Sequence, residues 1–185
     1  MAKTKKKMAK TKKKERRAAP RKPTTRKKAP RKMAAPRRTK DGGQPGWPTL
    51  SPYMTVRDAA KSLAFYRDAF GFAVKGTVMK DDRGRVMHVG MSLGAAAIMF
   101  SPQNAPDGMK PPADSGAADS LSLYVYVPDV DRLAERAARA GATVLAKPAD
   151  QFWGDRIAIF KDPDGYHWTF ATNVGAYDAS KAPKH

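Results

Sequence analysis

The sequence predicts an α+β fold: two tandem βαβββ modules forming a curved, partly closed mixed sheet with helices outside, behind a disordered N-terminal tail. Three observations carry that prediction. Charge divides the chain, because 20 of its 36 Lys and Arg residues lie in residues 1–40 with one acid, Glu15. The formal net charge of +19 therefore sits entirely in that stretch, and residues 41–185 hold 16 basic and 16 acidic residues. Regular apolar patterning begins only near Leu50. Finally, Val56-x-Asp58 followed by Gly71 recurs as Val127-x-Asp129 followed by Gly141, at spacings of 15 and 14 residues, as expected of a repeated supersecondary unit.

Residues 1–48 read as the tail. The heptapeptide MAKTKKK occurs twice in succession, and Pro20, Pro23, Pro30 and Pro36 recur among basic residues. Like-charge repulsion and few apolar groups leave nothing to offset the ordering entropy of such a segment. Its composition resembles the basic tails of linker-histone-like and bacterial nucleoid proteins. Lys5, Lys6, Lys7, Lys12, Lys13, Lys14, Arg16, Arg17, Lys27 and Lys28 are the expected polyanion contacts, releasing counterions from DNA or RNA phosphates without reading bases. No aromatic residue precedes Trp47, so stacking on bases is not expected there. Two other readings stay open: Met8 or Met33 as the true start in place of Met1, and a targeting segment, although the tail is neither amphipathic nor Ser-rich.

The domain spans residues 49–174, with modules at 49–101 and 120–174 and a C-terminal tail at 175–185. Leu50 to Val56 alternates apolar and polar residues, as a half-buried strand does. Asp58 caps a helix through Ala69 that Gly71 ends. Strands follow near 72–79, 85–93 and 95–101, divided by Asp81-Asp82-Arg83-Gly84 and by Gly94. After a Pro/Gly/Asp/Ala-rich loop at 102–119 the order repeats. Leu121–Val127 is a strand, Asp129 caps a helix through Ala140, and strands lie near 142–147, 154–161 and 166–172, the last two joined by Asp162-Pro163-Asp164-Gly165, a strong turn signal.

Several function classes fall away. The chain has no Cys, so disulfides, thiolate metal sites and Cys nucleophiles are excluded. No apolar run approaches the roughly 18 residues of a membrane span, and no phosphate-cradling glycine loop implies a nucleotide. The expectation is a cytoplasmic protein without a cofactor, its tail available for nucleoid association.

The segments SPYMTVRDAAKSLAFYRDAFG, GRVMHVGMSLG, QFWGDR and KDPDGYHWTFAT, set in a duplicated βαβββ plan, resemble the vicinal oxygen chelate superfamily, which includes glyoxalase I, bleomycin-resistance proteins and extradiol dioxygenases. The likeness is greatest to its PhnB-like branch. It implies a homodimer and a concave ligand cavity. It also implies four metal-ligand positions, which fall here on Ser51, Met99, Ser122 and Thr169. None is a usual ligand for a divalent ion, so no metal is expected.

Strand alternation supplies a separate reading of the cavity. One face collects Ser51, Tyr53 and Thr55; His88, Gly90 and Ser92; Ser122, Tyr124 and Tyr126; and His167, Thr169 and Ala171. Tyr53, His88, Met99, Tyr124, Tyr126, Trp153, Arg156 and His167 are the candidate ligand-binding residues, with Phe152 beside Trp153 at the mouth. Each has a structural alternative. Tyr124 and Tyr126 also suit a packing pair, His88 a hydrogen-bonded sheet residue, His167 a solvent-facing one, and Arg156 an ion pair with Asp150 or Asp155. Aromatic walls with few polar groups suit a small aromatic or amphipathic molecule, so the leading expectation is metal-independent binding of the sequestration type. A glyoxalase-type lyase or dioxygenase with an atypical metal site, built on His88 and His167, is one alternative. A structural module tethered to nucleic acid is the other.

Overall fold

The computed structural model describes residues 42–104, 108–116 and 121–183. The tail expected at 1–48 and its polyanion contacts therefore lie, up to residue 41, outside the described residues.

The first module runs β1 (Tyr53–Val56), α1 (Ala59–Phe65) continuing into a π-turn (Tyr66–Phe70), β2 (Ala73–Val74), β3 (Met79–Lys80), β4 (Val86–Leu93) and β5 (Ala96–Pro102). A short helix α2 (Pro112–Ser115) follows. The second module runs β6 (Ser122–Tyr126), α3 (Val130–Arg139), β7 (Thr143–Asp150), β8 (Asp155–Lys161) and β9 (His167–Asn173). Both helices begin where the sequence places a cap. Asp58 Oδ1 accepts from the amides of Ala60 and Lys61 at 2.9 and 3.1 Å, and Asp129 Oδ1 from that of Arg132 at 2.9 Å, satisfying donors a first helical turn leaves orphaned.

The strands form two mixed sheets rather than one. Their orders are β1-β5-β4-β2, with β3 also on β4, and β6-β9-β8-β7. β1 runs parallel to β5 and β6 parallel to β9, and the other pairs are antiparallel, so each module has the same internal order. Two expected strands are shorter than their pattern. The one near 72–79 is broken into β2 and β3, because Gly76 takes a positive φ of 80° and the register shifts between Met79 and Lys80. The one beginning at Leu50 pairs only from Tyr53, leaving Leu50 84% exposed.

The modules share one aromatic core. Tyr66, Phe70, Phe72 and Phe100 from the first meet Phe160, Trp168 and Phe170 from the second, all essentially inaccessible to solvent. Phe70 alone lies 5.1 Å from Trp168 and 4.8 Å from Phe170, ring centre to ring centre. Each such ring stabilises the fold by about 1.5–3 kcal/mol relative to leaving it exposed.

Two buried carboxylates of the Asp162-Gly165 turn then join the modules. Asp162 Oδ2 accepts from the Tyr66 hydroxyl at 2.8 Å and the Trp168 indole at 2.9 Å, and its Oδ1 accepts the Asp164 and Tyr166 amides. Asp164 accepts from Ser62 Oγ at 2.6 Å and the Arg57 amide at 2.8 Å. The Tyr166 hydroxyl pairs with both the amide and the carbonyl of Thr55, closing the edge of β1 that β5 leaves unpaired. With the turn clamped to α1 and β1, each sheet turns its apolar face to the helices and its mixed face away from them.

Candidate functional site

The register of the second sheet sets its outward face. Tyr124 lies opposite Thr169, which lies opposite Ile159, and Tyr126 lies opposite Ala171, which lies opposite Ile157. Ser122 faces His167, and Asn173 faces Asp155. Small and aliphatic residues on β8 and β9 thus make a low floor, and the tyrosines of the edge strand β6 lean over it.

Asp155 organises this face. Only 3% exposed, its Oδ2 accepts from the hydroxyls of both Tyr124 and Tyr126 at 2.8 Å, and its Oδ1 from Asn173 Nδ2 at 3.1 Å. Burial pushes its carboxyl up, but the donations from Asn173, Tyr124, Tyr126 and the Trp153 indole outweigh that and hold it below the usual carboxylate range. Burial, and then the neighbouring carboxylate, push the Tyr124 phenol up to about 12. Tyr126 is raised too, first by its bond to Asp155. Both phenols are therefore neutral at physiological pH, with their protons committed to Asp155, and Trp153 also hydrogen-bonds Tyr124, which partly offsets the rise. Their rings meet edge to face, centres 5.4 Å apart, with Tyr124 45% and Tyr126 63% exposed. The tyrosines thus present fixed, part-exposed aromatic surface.

The loop leading into β8 completes the wall. Gly154 has φ +94°, and its carbonyl accepts the amides of Val174 and Gly175 and the Asn173 side chain, tying the end of β9 to the start of β8. Phe152 packs edge-on against Trp153 at 5.0 Å and against Tyr177 at 5.8 Å. Beside the open edge of β6 lies an apolar groove of about 470 Å³, lined by Leu50, Pro52, Phe72, Ile98, Tyr124 and Trp168 among others, within the size range of small-molecule pockets.

The candidate residues thus fall into separate groups. Tyr124, Tyr126 and Trp153 gather around Asp155. Tyr53, His88 and Met99 gather on the first sheet, where Tyr53 lies opposite Met99 and its hydroxyl meets His88 Nδ1 at 3.3 Å, the rings stacked 5.7 Å apart. His167 lies on β9, opposite Ser122 and Lys161. Arg156 joins neither group. Its guanidinium grips Asp131 of α3 at 2.8 Å and Asp150 at 2.9 Å, because alternation sends residues 156, 158 and 160 to the helix side and residue 155 to the other. The ion-pair alternative describes Arg156, with Asp131 an unforeseen partner.

Asp155 and Asn173 were missed, although the two-residue period from Tyr124 across to β8 contains them once the strand ends are known. Trp47 was also missed. It stands in the stretch read as tail, where composition gives no sign that its ring lies on the first sheet at Gly90.

Comparison with known proteins now bears on this geometry. Residues 49–170 match the model of the Glyoxalase/Bleomycin resistance protein/Dioxygenase superfamily. The chain belongs to that superfamily. It is 35% identical over 130 residues to the uncharacterized protein Mb0911c of Mycobacterium bovis, covering 69% of this chain and 84% of that one. An uncharacterized protein of Mycobacterium tuberculosis, Rv0887c, matches equally over 75% of its length. The fold is that of TioX from Micromonospora sp. ML1 (TM-score 0.55, 22% identity, covering 68% of this chain and 98% of that one). It is also that of a glyoxalase/bleomycin resistance protein/dioxygenase family enzyme from Burkholderia phytofirmans PsJN (TM-score 0.55, 23% identity, 66% and 95%).

The donor set does not fit the divalent ion that some members of the superfamily hold. Ser122 Oγ and Thr169 Oγ1 hydrogen-bond each other at 2.9 Å, Ser51 Oγ reaches back toward the Pro48 carbonyl, and Met99 offers a thioether. Hydroxyls and a thioether are poor substitutes for imidazole and carboxylate, and among the described residues no three His, Asp or Glu side chains converge. No helix among the described residues is long and apolar enough to cross a membrane.

Proposed function

We propose that this protein binds a small aromatic or amphipathic molecule without a metal, in the manner of sequestration rather than turnover. The observation that carries the reading is the tyrosine pair held by Asp155 beside an apolar groove of about 470 Å³. Neutral phenols anchored at their hydroxyls keep their rings oriented, so a flat ligand stacks on them at little ordering cost. A panel of glycopeptide antibiotics and aromatic metabolites tests it by thermal shift, comparing the full chain with Tyr124→Ala and Tyr126→Ala. A ligand that stabilises the parent and not the variants supports the reading, and no shift with any member of the panel overturns it.

In the same proposal the protein is a homodimer and its basic tail holds polyanions. The tail carries the whole net charge of +19, so its affinity for DNA or RNA should fall steeply with salt. A DNA-binding salt series on the full chain and on a chain lacking residues 1–40 tests this. Affinity retained by the shortened chain would remove the tail from the account. Light scattering tests the dimer, and a monomeric mass at micromolar concentration would exclude it.

A further inference from the structure

The outward face of the first sheet already holds an aromatic ring, and that ring is the chain's own. A methyl group at position 90 would lie 2.5 Å from Trp47 Cη2, 2.9 Å from its Cζ2 and 2.7 Å from the Lys75 carbonyl oxygen. The absence of a side chain at Gly90 therefore creates a shallow cradle in which the indole lies on the backbone of β4. Met99 is the register partner of both Gly90 and Tyr53, so a polarisable thioether and a half-exposed phenol stand on the same row of the face. Lys75 Nζ sits 5.6 Å from the centre of the Trp47 ring, within range of a cation–π attraction.

Trp47 is fastened differently from the sheet it covers. Its amide closes a local turn on the Gln44 carbonyl at 3.0 Å, and its side chain reaches β4 at Gly90. The neighbouring residues 42–46, 49 and 50 are exposed, while Trp47 itself is half-buried. A ring held by one face in a side-chain-free cradle, on a short strap, can be exchanged for a free ring of the same shape.

We propose that this cradle is a binding site for a planar, electron-rich fused aromatic group of indole size, and that Trp47 is its resident, displaceable occupant. The proposal rests on the reading of the outward sheet faces as ligand-binding surfaces, but it concerns the first module and not the tyrosine pair of the second. Lys75 selects for an electron-rich ring, and Gly90 for a flat one. A strap that fills the site more than nine-tenths of the time lowers the apparent affinity of a competitor by at least about tenfold.

The test uses full-length protein and free indole. By calorimetry, Trp47→Ala should bind indole at least about tenfold more tightly than the parent. Adding Lys75→Met to that variant should weaken binding by about two- to fivefold through loss of the cation–π contact. In parent protein labelled with 5-fluorotryptophan, saturating indole should move to the solvent position the one resonance that Trp47→Ala removes. Equal affinity within twofold for parent and variant, or no binding to the variant, overturns the proposal. Failure of Trp47→Ala to fold overturns it too, since an occupant essential to the fold is not displaceable. If indole fails here while the panel still discriminates Tyr124→Ala, this inference falls alone. If the panel fails while indole binds Trp47→Ala, the earlier reading falls alone.

Discussion

Asp162 contributes stability that falls as pH rises, the opposite sign to the carboxylates held below their ordinary range. Its carboxyl is almost wholly removed from water in the joint between the modules, and burial pushes it up from 3.8 to about 6, even against the four donors that face it. The folded state therefore keeps this proton to a higher pH than the unfolded chain, which releases it near 3.8. The contribution of Asp162 is greatest below that value, declines between about pH 4 and pH 6, and then levels. A difference of roughly 2 pH units at 1.36 kcal/mol each gives a loss of about 3 kcal/mol. Asp68, Asp81, Asp114, Asp131, Asp155 and Asp178 are held below the ordinary range, so their contributions have the opposite sign and are lost as pH falls below about 5. Urea denaturation of the full chain and of Asp162→Asn at pH 4, 5, 6 and 7 reads this contribution as the pH dependence of their difference. Asp162→Asn should abolish it, at a fixed cost of about 1–3 kcal/mol, because the new amide turns a donor toward the Trp168 indole N–H, which cannot accept. A difference between parent and Asp162→Asn that does not change between pH 4 and 6 would refute the reasoning.

Three further outcomes follow from the same geometry. Asp155→Asn should bring the Tyr124 phenol from about 12 part of the way back toward 10 in an ultraviolet pH titration, and an unchanged titration would mean Asp155 does not hold the pair. Phe70→Ala should cost about 3–5 kcal/mol in urea denaturation, since the ring touches Tyr66, Phe160, Trp168 and Phe170 at once; a loss under 1 kcal/mol would show that the modules are not joined through it. Arg156→Gln should leave the affinity of any ligand found in the panel unchanged within twofold, because Asp131 and Asp150 take up the guanidinium; a larger loss would put Arg156 back at the site.

The sequence alone determined which residues share a face of a strand and where each module's long helix begins. Asp58 and Asp129 cap their helices, and the alternations at 122–126 and 167–171 put Tyr124, Tyr126 and Thr169 opposite Val125, Trp168 and Phe170, because capping and the two-residue period of a strand are local properties. Only the tertiary structure decided what those faces meet. A turn signal such as Asp162-Pro163-Asp164-Gly165 says nothing of the two carboxylates it buries against α1 of the other module. Likewise, Asp155 and Arg156 are adjacent and both charged, with opposite signs, and only the end of β8 settles which of them faces the tyrosines. Trp47 shows the same limit at longer range. Its resting place on Gly90 depends on a sheet assembled more than forty residues further along the chain, and no local pattern of apolar and polar residues carries that information.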